Sequence, residues 1–245
     1  MSLRIRSREP EWMDTVPVPP GDFASCLGDL GRVNLVTRAQ APTLAFLRRA
    51  TRDWPRDRAL RVLDVGSGGG DMLRRVARWG GRRGQALDLM GLDLHPHSTL
   101  AAQAATPPGL PIRYLTGDVF ALDPALRFDL VVSSLFTHHL DDGEVVRFLR
   151  FMEARAGLGW FVNDLHRHAL ALHGFRALSA AMRWHRFVRH DGAVSVRRAF
   201  RAAEWRLLLA EAGIPVTGAA GTEGARLTWH VPFRLCVERI KAKGA

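Results

Sequence analysis

The sequence predicts an α/β protein of the Rossmann-like, doubly wound kind, and three observations predict it. Short apolar, β-branched runs alternate with helix-period segments over most of the chain, the pattern of a mostly parallel sheet wrapped by helices. One such run, Val62-Leu63-Asp64-Val65, ends in Gly66-Ser67-Gly68-Gly69-Gly70, and a helical pattern through Met72, Leu73, Val76 and Ala77 follows at once. With 245 residues and 47% hydrophobic content, the chain holds enough apolar material for one such domain with an insertion or extension.

Residues 1–20 are charged and then proline-rich, a terminal arm or a strap over the surface, and 21–245 form the domain. Between 23 and 52, Leu30, Val33, Val36, Leu44, Phe46 and Leu47 give two helices broken near Pro42, placed to pack over a ligand at the glycine turn. Strand patterns lie at 61–65, 87–93, 112–116, 129–133 and 158–163. Helix patterns lie at 71–79, 96–105 and 142–155, the last opened by a capping box of Asp141 and Glu144. The alternation then breaks, and about 165–200 reads as a helical lid over the carboxyl ends of the strands, where doubly wound sheets bind ligands. A crossover helix at 201–212, ended by Gly213, precedes closing strands expected at 214–217 and 231–237, with Pro232 at an edge or bulge.

A net charge of +11 invites a nucleic-acid partner. Lysine occurs only at Lys241 and Lys243, however, and the arginines are spread along the whole chain, so a solvated basic surface is expected and nucleic acid is not. Cys26 and Cys236 lie far apart and the N-terminus lacks a signal-peptide core, which suggests a reduced, cytoplasmic protein. No run of 18 apolar residues exists, so no transmembrane segment is expected, while transient contact of the lid arginines with anionic lipid stays open. No histidine shows zinc spacing with cysteine, and no metal is expected.

The glycine turn opens a helix, where backbone N–H groups face a ligand. A dinucleotide fingerprint would place its third glycine at 71, and that residue is Asp71. Asp64, two residues before Gly66, would repel a pyrophosphate and attract an ammonium group. The turn therefore reads as a cradle for S-adenosylmethionine (SAM). Asp93, 27 residues after Gly66, ends the second strand and suits the ribose hydroxyls. Asp118 and Val119 follow the third strand and suit the adenine amino group and ring, although Asp118 alone would be an ordinary turn or cap residue. Arg32 and Arg38 lie on the N-terminal helices; such residues are more often on the surface, but one of them, Arg38, can reach the methionine carboxylate. His138 and His139 follow the fourth strand, and one of them can act as general base near neutral pH while the other packs or caps a helix. Asp164 and His166, after the fifth strand, either polarise a substrate hydroxyl or serve structure.

Leu63-Asp64-Val65-Gly66-Ser67-Gly68-Gly69-Gly70-Asp71, Gly91-Leu92-Asp93-Leu94, Gly117-Asp118-Val119 and Phe128-Asp129-Leu130-Val131-Val132-Ser133-Ser134 resemble successive motifs of class I SAM-dependent methyltransferases. The resemblance covers about 61–213 and implies a seven-stranded sheet with a reversed last strand. It implies contacts to SAM, and to its product S-adenosylhomocysteine (SAH), at Asp64, Gly66, Ser67, Gly68, Asp93, Leu94, Asp118, Val119 and Ser134. Ser133-Ser134-Leu135-Phe136 lacks the Asp/Asn-Pro-Pro-aromatic element of nucleic-acid amino methylases and the aspartate of metal-dependent catechol methylases. Thr137-His138-His139-Leu140 resembles the His-His-Leu of small-molecule methyltransferases. Asn163-Asp164-Leu165-His166-Arg167-His168 and residues 190–200 resemble methyltransferases associated with type III polyketide synthases. That likeness implies O-methylation of an aromatic or lipidic small molecule such as a polyketide phenol or quinol. A quinone-type C-methyltransferase is the alternative, and an RNA methyltransferase a further one.

Overall fold

In the computed structural model of the chain, residues 3–15, 20–217 and 224–242 are described, with only the backbone for 20–24. Seven strands form one sheet: β1 (Leu60–Val65), β2 (Leu87–Asp93), β3 (Ile112–Thr116), β4 (Phe128–Ser134), β5 (Ala156–Leu165), β6 (Arg226–His230) and β7 (Arg234–Ile240). Their order is β3-β2-β1-β4-β5-β7-β6, with β1 to β5 parallel and β7 antiparallel to both its neighbours. Strand order reverses between β1 and β4, so a crevice opens at the carboxyl ends of these two strands. Asp64 and Ser133 lie beside it, one residue out of register across the β1–β4 pair.

The helices are α1 (Trp12–Thr15), α2 (Pro20–Val36), α3 (Ala41–Ala50), α4 (Asp71–Gly81), α5 (Pro96–Ala104), α6 (Asp142–Arg155), α7 (Ala169–Ala181), α8 (Arg186–Arg198) and α9 (Ala202–Glu211). Alternation along the strands divides the core. Leu63, Val65 and Val131 face α6 and α9, whereas Val62, Leu130 and Val132 face α3 and α4. The α6 capping box forms as expected: the Glu144 N–H donates to Asp141 at 2.8 Å and the Asp141 N–H to Glu144 at 2.8 Å. The two N-terminal helices break at 37–40, just before Pro42, which sits in the first turn of α3.

The lid is the helix pair α7 and α8, packed against α2 through Cys26, Val33, Trp184, Phe187 and Val188. The lid helix α8 ends at Arg198, and the crossover helix α9 begins at Ala202. The closing strands need correction. Residues 214–217 make only an isolated bridge, Val216 to Ala225, and the last two strands are the β6–β7 hairpin. Val231-Pro232-Phe233 is the turn of that hairpin, with a cis Val231–Pro232 bond, so Pro232 falls between strands. The apolar pattern of 231–237 conceals this, because Val231 is exposed on the turn while Leu235 to Val237 are buried.

The N-terminal arm is a strap. The Arg6 guanidinium donates to the carbonyls of His138, Leu140 and Arg198, and Glu9 pairs with Arg197 at 2.6 Å. Trp12 stacks on His190 with centroids 3.7 Å apart, and the Trp12 and Met13 amides donate to Asp191. Acidic and aromatic groups of 3–15 thus tie to α8 and to the loop after β4.

Candidate active site

One cavity of about 440 Å³ runs from the glycine turn to the lid. Asp64, Gly66, Ser67, Gly68 and Asp71 line the glycine-turn end together with Leu27, and His138 and His139 line the other, beside an apolar wall of Leu30, Leu170, Phe175, Leu178 and Phe233. The turn is close-packed from below. Gly70 has φ +75°, and a Cβ on it would lie 2.3 Å from the Tyr114 hydroxyl, so glycine is required on both counts. A Cβ on Gly68 would meet nothing within 4 Å, which leaves that space to a ligand.

Asp64 is buried and its Oδ1 has no hydrogen-bond partner. Burial first, then the neighbouring Asp71 and Asp93, push its carboxyl well above the usual carboxylate range. A buried acid without a cation is costly, and an ammonium group is the partner this site lacks. Asp71 is held from the N-terminal helices by Gln40 and by Asn34. Asp93 accepts the Gly68 N–H at 2.8 Å and the His95 N–H at 3.0 Å, one on each oxygen, so each oxygen retains a lone pair for a hydroxyl. These observations fit SAM: Asp64 for the ammonium, the glycine turn for close approach, Asp93 for the ribose.

Of the expected cofactor residues beyond the glycine turn, Ser134 lines the cavity, and Asp93, Leu94, Asp118, Val119 and Arg38 do not. Leu94 is 73% exposed next to Asp93, and Val119 is buried in the core. Asp118 is exposed and accepts the Phe120 N–H at 2.9 Å, an N-cap whose second oxygen stays available. Ser134 lines the cavity with its hydroxyl buried and unpartnered. Arg38 is exposed at a left-handed turn and does not line the cavity.

The histidine end is a charged cluster. His138 is buried; its Nδ1 lies 2.8 Å from Asp164 Oδ1 and its Nε2 3.4 Å from Glu11 Oε1. Asp164 also accepts the Thr137 hydroxyl at 2.5 Å and the His138 and Leu165 amides at 3.0 and 2.7 Å. Burial works against a charged imidazole, but Asp164 and Glu11 overcome it and push the His138 pKa up to about 9. Burial would raise the Glu11 carboxyl, yet the hydrogen bond to His138 and the charge of His139 hold it down at about 2. Asp164 is likewise held below the usual carboxylate range by His138 against its burial. His138 is therefore an imidazolium at neutral pH and cannot accept a proton there.

His139 differs. It is partly exposed to the cavity, its Nδ1 lies 2.9 Å from Asp14 Oδ2, and its Nε2 is 3.8 Å from Glu11 Oε2. Asp14 orients the ring through Nδ1, and the longer contact, with Glu11, is at Nε2. His166 stands apart: it does not line the cavity, its Nδ1 is buried without a partner, and burial followed by His168, Arg201 and Arg167 lowers its pKa. Asp164 touches the cavity only through His138. Glu11, His138 and His139 also bring donor atoms within 4.8 Å of one another, a spacing that can hold a metal ion where the sequence led us to expect none. Their mutual pairing accounts for the same arrangement.

Sequence reasoning missed Glu11, Asp14 and the buried Arg234 of the cavity wall. Nothing local marks them; each belongs to a segment that meets the site only through tertiary contact.

Residues 62–156 match a family described as a methyltransferase domain. No curated protein matches the chain. Among solved structures, magnesium protoporphyrin IX methyltransferase (ChlM) from Synechocystis PCC 6803 with bound SAM is similar over 94% of each chain, at 13% identity and TM-score 0.57. The plantazolicin methyltransferase BpumL in complex with SAH is similar over 90% of this chain and 89% of its own, at 11% identity and TM-score 0.63. At such identities the likeness concerns the fold. Residues 62–156 thus carry a methyltransferase domain, and the chain as a whole shares the fold of these SAM- and SAH-bound structures.

Proposed function

We propose that the chain moves the methyl group of SAM onto a hydroxyl of an apolar phenol or quinol, with His139 as the base. The observation that carries this reading is the single cavity joining the unpartnered Asp64 carboxyl to His139 and then to the apolar lid. Bound SAM supplies a methyl group already activated on a sulfonium, so the chain has only to align the acceptor and manage one proton. Asp64 and Asp93 hold the ends of the cofactor. His139, oriented by Asp14, takes the hydroxyl proton on Nε2. A phenol ionises near pH 10, so this transfer is needed at neutral pH. The fixed positive charge of His138 beside it favours the phenolate. We read 1–20 as the arm that closes the catalytic domain 21–245, and polyketide aromatics in the cytoplasm as the natural setting.

C-methylation of a quinol ring would use the same deprotonation. A radiolabelled-SAM assay against alkylresorcinols, quinols and tRNA separates the readings. Label in the methyl ether of a resorcinol is the expected result; label on a ring carbon would move the assignment to C-methylation, and label in tRNA alone would refute it. Among the described residues no helix is long and apolar enough to cross a membrane.

A further inference from the structure

Arg234 begins β7 in the wall of the cavity, 3% exposed, between Phe233 and Leu235. Its Nη1 is buried with no hydrogen-bond partner, and among the described residues no carboxylate lies within ion-pair reach of the guanidinium. Asp164 acts on it electrostatically, but that carboxylate already takes the Thr137 hydroxyl, the His138 ring and two backbone amides. Burial pulls the Arg234 guanidinium below the usual arginine range without removing its charge at neutral pH. An unpaired buried cation is destabilising, and it persists where a ligand completes it.

From this group we infer that the methyl acceptor carries a carboxylate, which docks on Arg234. The cofactor's own carboxylate is excluded by position. It sits next to the ammonium that Asp64 recognises, on β1, whereas Arg234 lies three strands away across β4 and β5. At the spacing of adjacent strands that is about 14 Å. The anion therefore belongs to a second molecule, and the apolar lining of Leu165, Leu170, Phe175 and Phe233 makes that molecule an apolar or aromatic acid. This inference rests on the methyl-transfer reading only for the word acceptor; the anion site itself follows from Arg234.

The probes are 2-naphthoate and its neutral amide, 2-naphthamide, titrated calorimetrically into the whole chain with and without SAH. The carboxylate is expected to bind wild type about tenfold or more tightly than the amide, the size of a charge-assisted hydrogen bond. Arg234→Met should abolish that preference, Arg234→Lys should keep part of it, and SAH affinity should stay within about twofold in both. Arg234→Met should also melt higher than wild type without ligand, since it removes an unpaired buried charge; a purely structural arginine would lower the melting temperature. Equal affinity of the two probes for wild type, binding of neither, or a preference that survives in Arg234→Met would each overturn the inference. Failure of SAH to bind wild type would instead refute the methyl-transfer reading, with the naphthoate preference still read without SAH.

Discussion

The two ends of the cavity are built in opposite ways. The glycine-turn end comes from one continuous stretch, β1, the turn and α4, with Asp93 delivered by the neighbouring strand. Its demands are backbone demands, room at Gly68 and a left-handed turn at Gly70, plus one acid left unpaired. The histidine end is assembled from separate pieces: Glu11 and Asp14 from the strap, more than 120 residues from His138 and His139 in the loop after β4, and Asp164 from β5. There the charges are paired, by the strap and by Asp164. One end waits for a cation; the other already contains its counter-ions.

That contrast sets the expected effect of breaking each end. The largest falls on Asp64→Asn. SAM affinity should drop about 100-fold, since a charge-assisted contact is lost, while the ligand-free protein should melt higher. The sign follows from burial and the Asp71 and Asp93 charges. A carboxyl raised on folding makes the folded state lose stability as pH rises above about 4, and asparagine removes that loss. Calorimetric SAH titration and thermal melts across pH test both halves.

Next is Glu11→Gln, which leaves two histidines beside an uncharged amide. Breaking a buried pair costs about 3 kcal/mol, read by denaturant unfolding, and turnover should fall with it while SAH affinity holds. The pH profile sharpens the point. The His138 contribution is complete below about pH 6.5 and is lost as pH rises through about 9. The Glu11 contribution is complete above about pH 4.5 and is lost as pH falls through about 2. The contribution of the pair is therefore complete between about pH 4.5 and 6.5, where the stability difference between wild type and Glu11→Gln should be largest.

A smaller effect is expected of Trp12→Ala, which removes the stack on His190 and the edge contact with Phe187. It should cost about 1 kcal/mol and lower kcat more than SAH affinity, because the strap carries Glu11. Least of all should follow from Arg38→Ala, at an exposed position outside the cavity, with SAH affinity changed less than about twofold. A large loss of SAH affinity there would restore Arg38 to the methionine carboxylate.

The same contrast explains what the sequence made legible. The parallel core was readable because β1 to β5 and their helices are local periods joined by short turns, and the α6 capping box is a three-residue signal. The β6–β7 hairpin was not, because Val231 on the turn continues the apolar run of the strand, and only the tertiary fold tells them apart. At the site, Asp64 and the glycines were readable since backbone sterics and one charge define them. Of the His138–His139 pair, sequence offered no means to choose. The choice depends on Glu11 and Asp164, which enclose the buried His138, while His139 stays partly exposed with its longer contact at Nε2. The strap and Arg234 reach the cavity from the two ends of the chain, so no window of sequence contains their partners.

The central claim is that His139 takes the proton while the glycine-turn end holds the cofactor independently. His139→Ala, assayed with labelled SAM and an alkylresorcinol carboxylate alongside SAH titration, tests it most directly. A fall in kcat of about 100-fold or more, with the SAH Kd within about twofold of wild type, is the predicted result. Unchanged turnover, or a loss of SAH binding that matches the loss of rate, would contradict it.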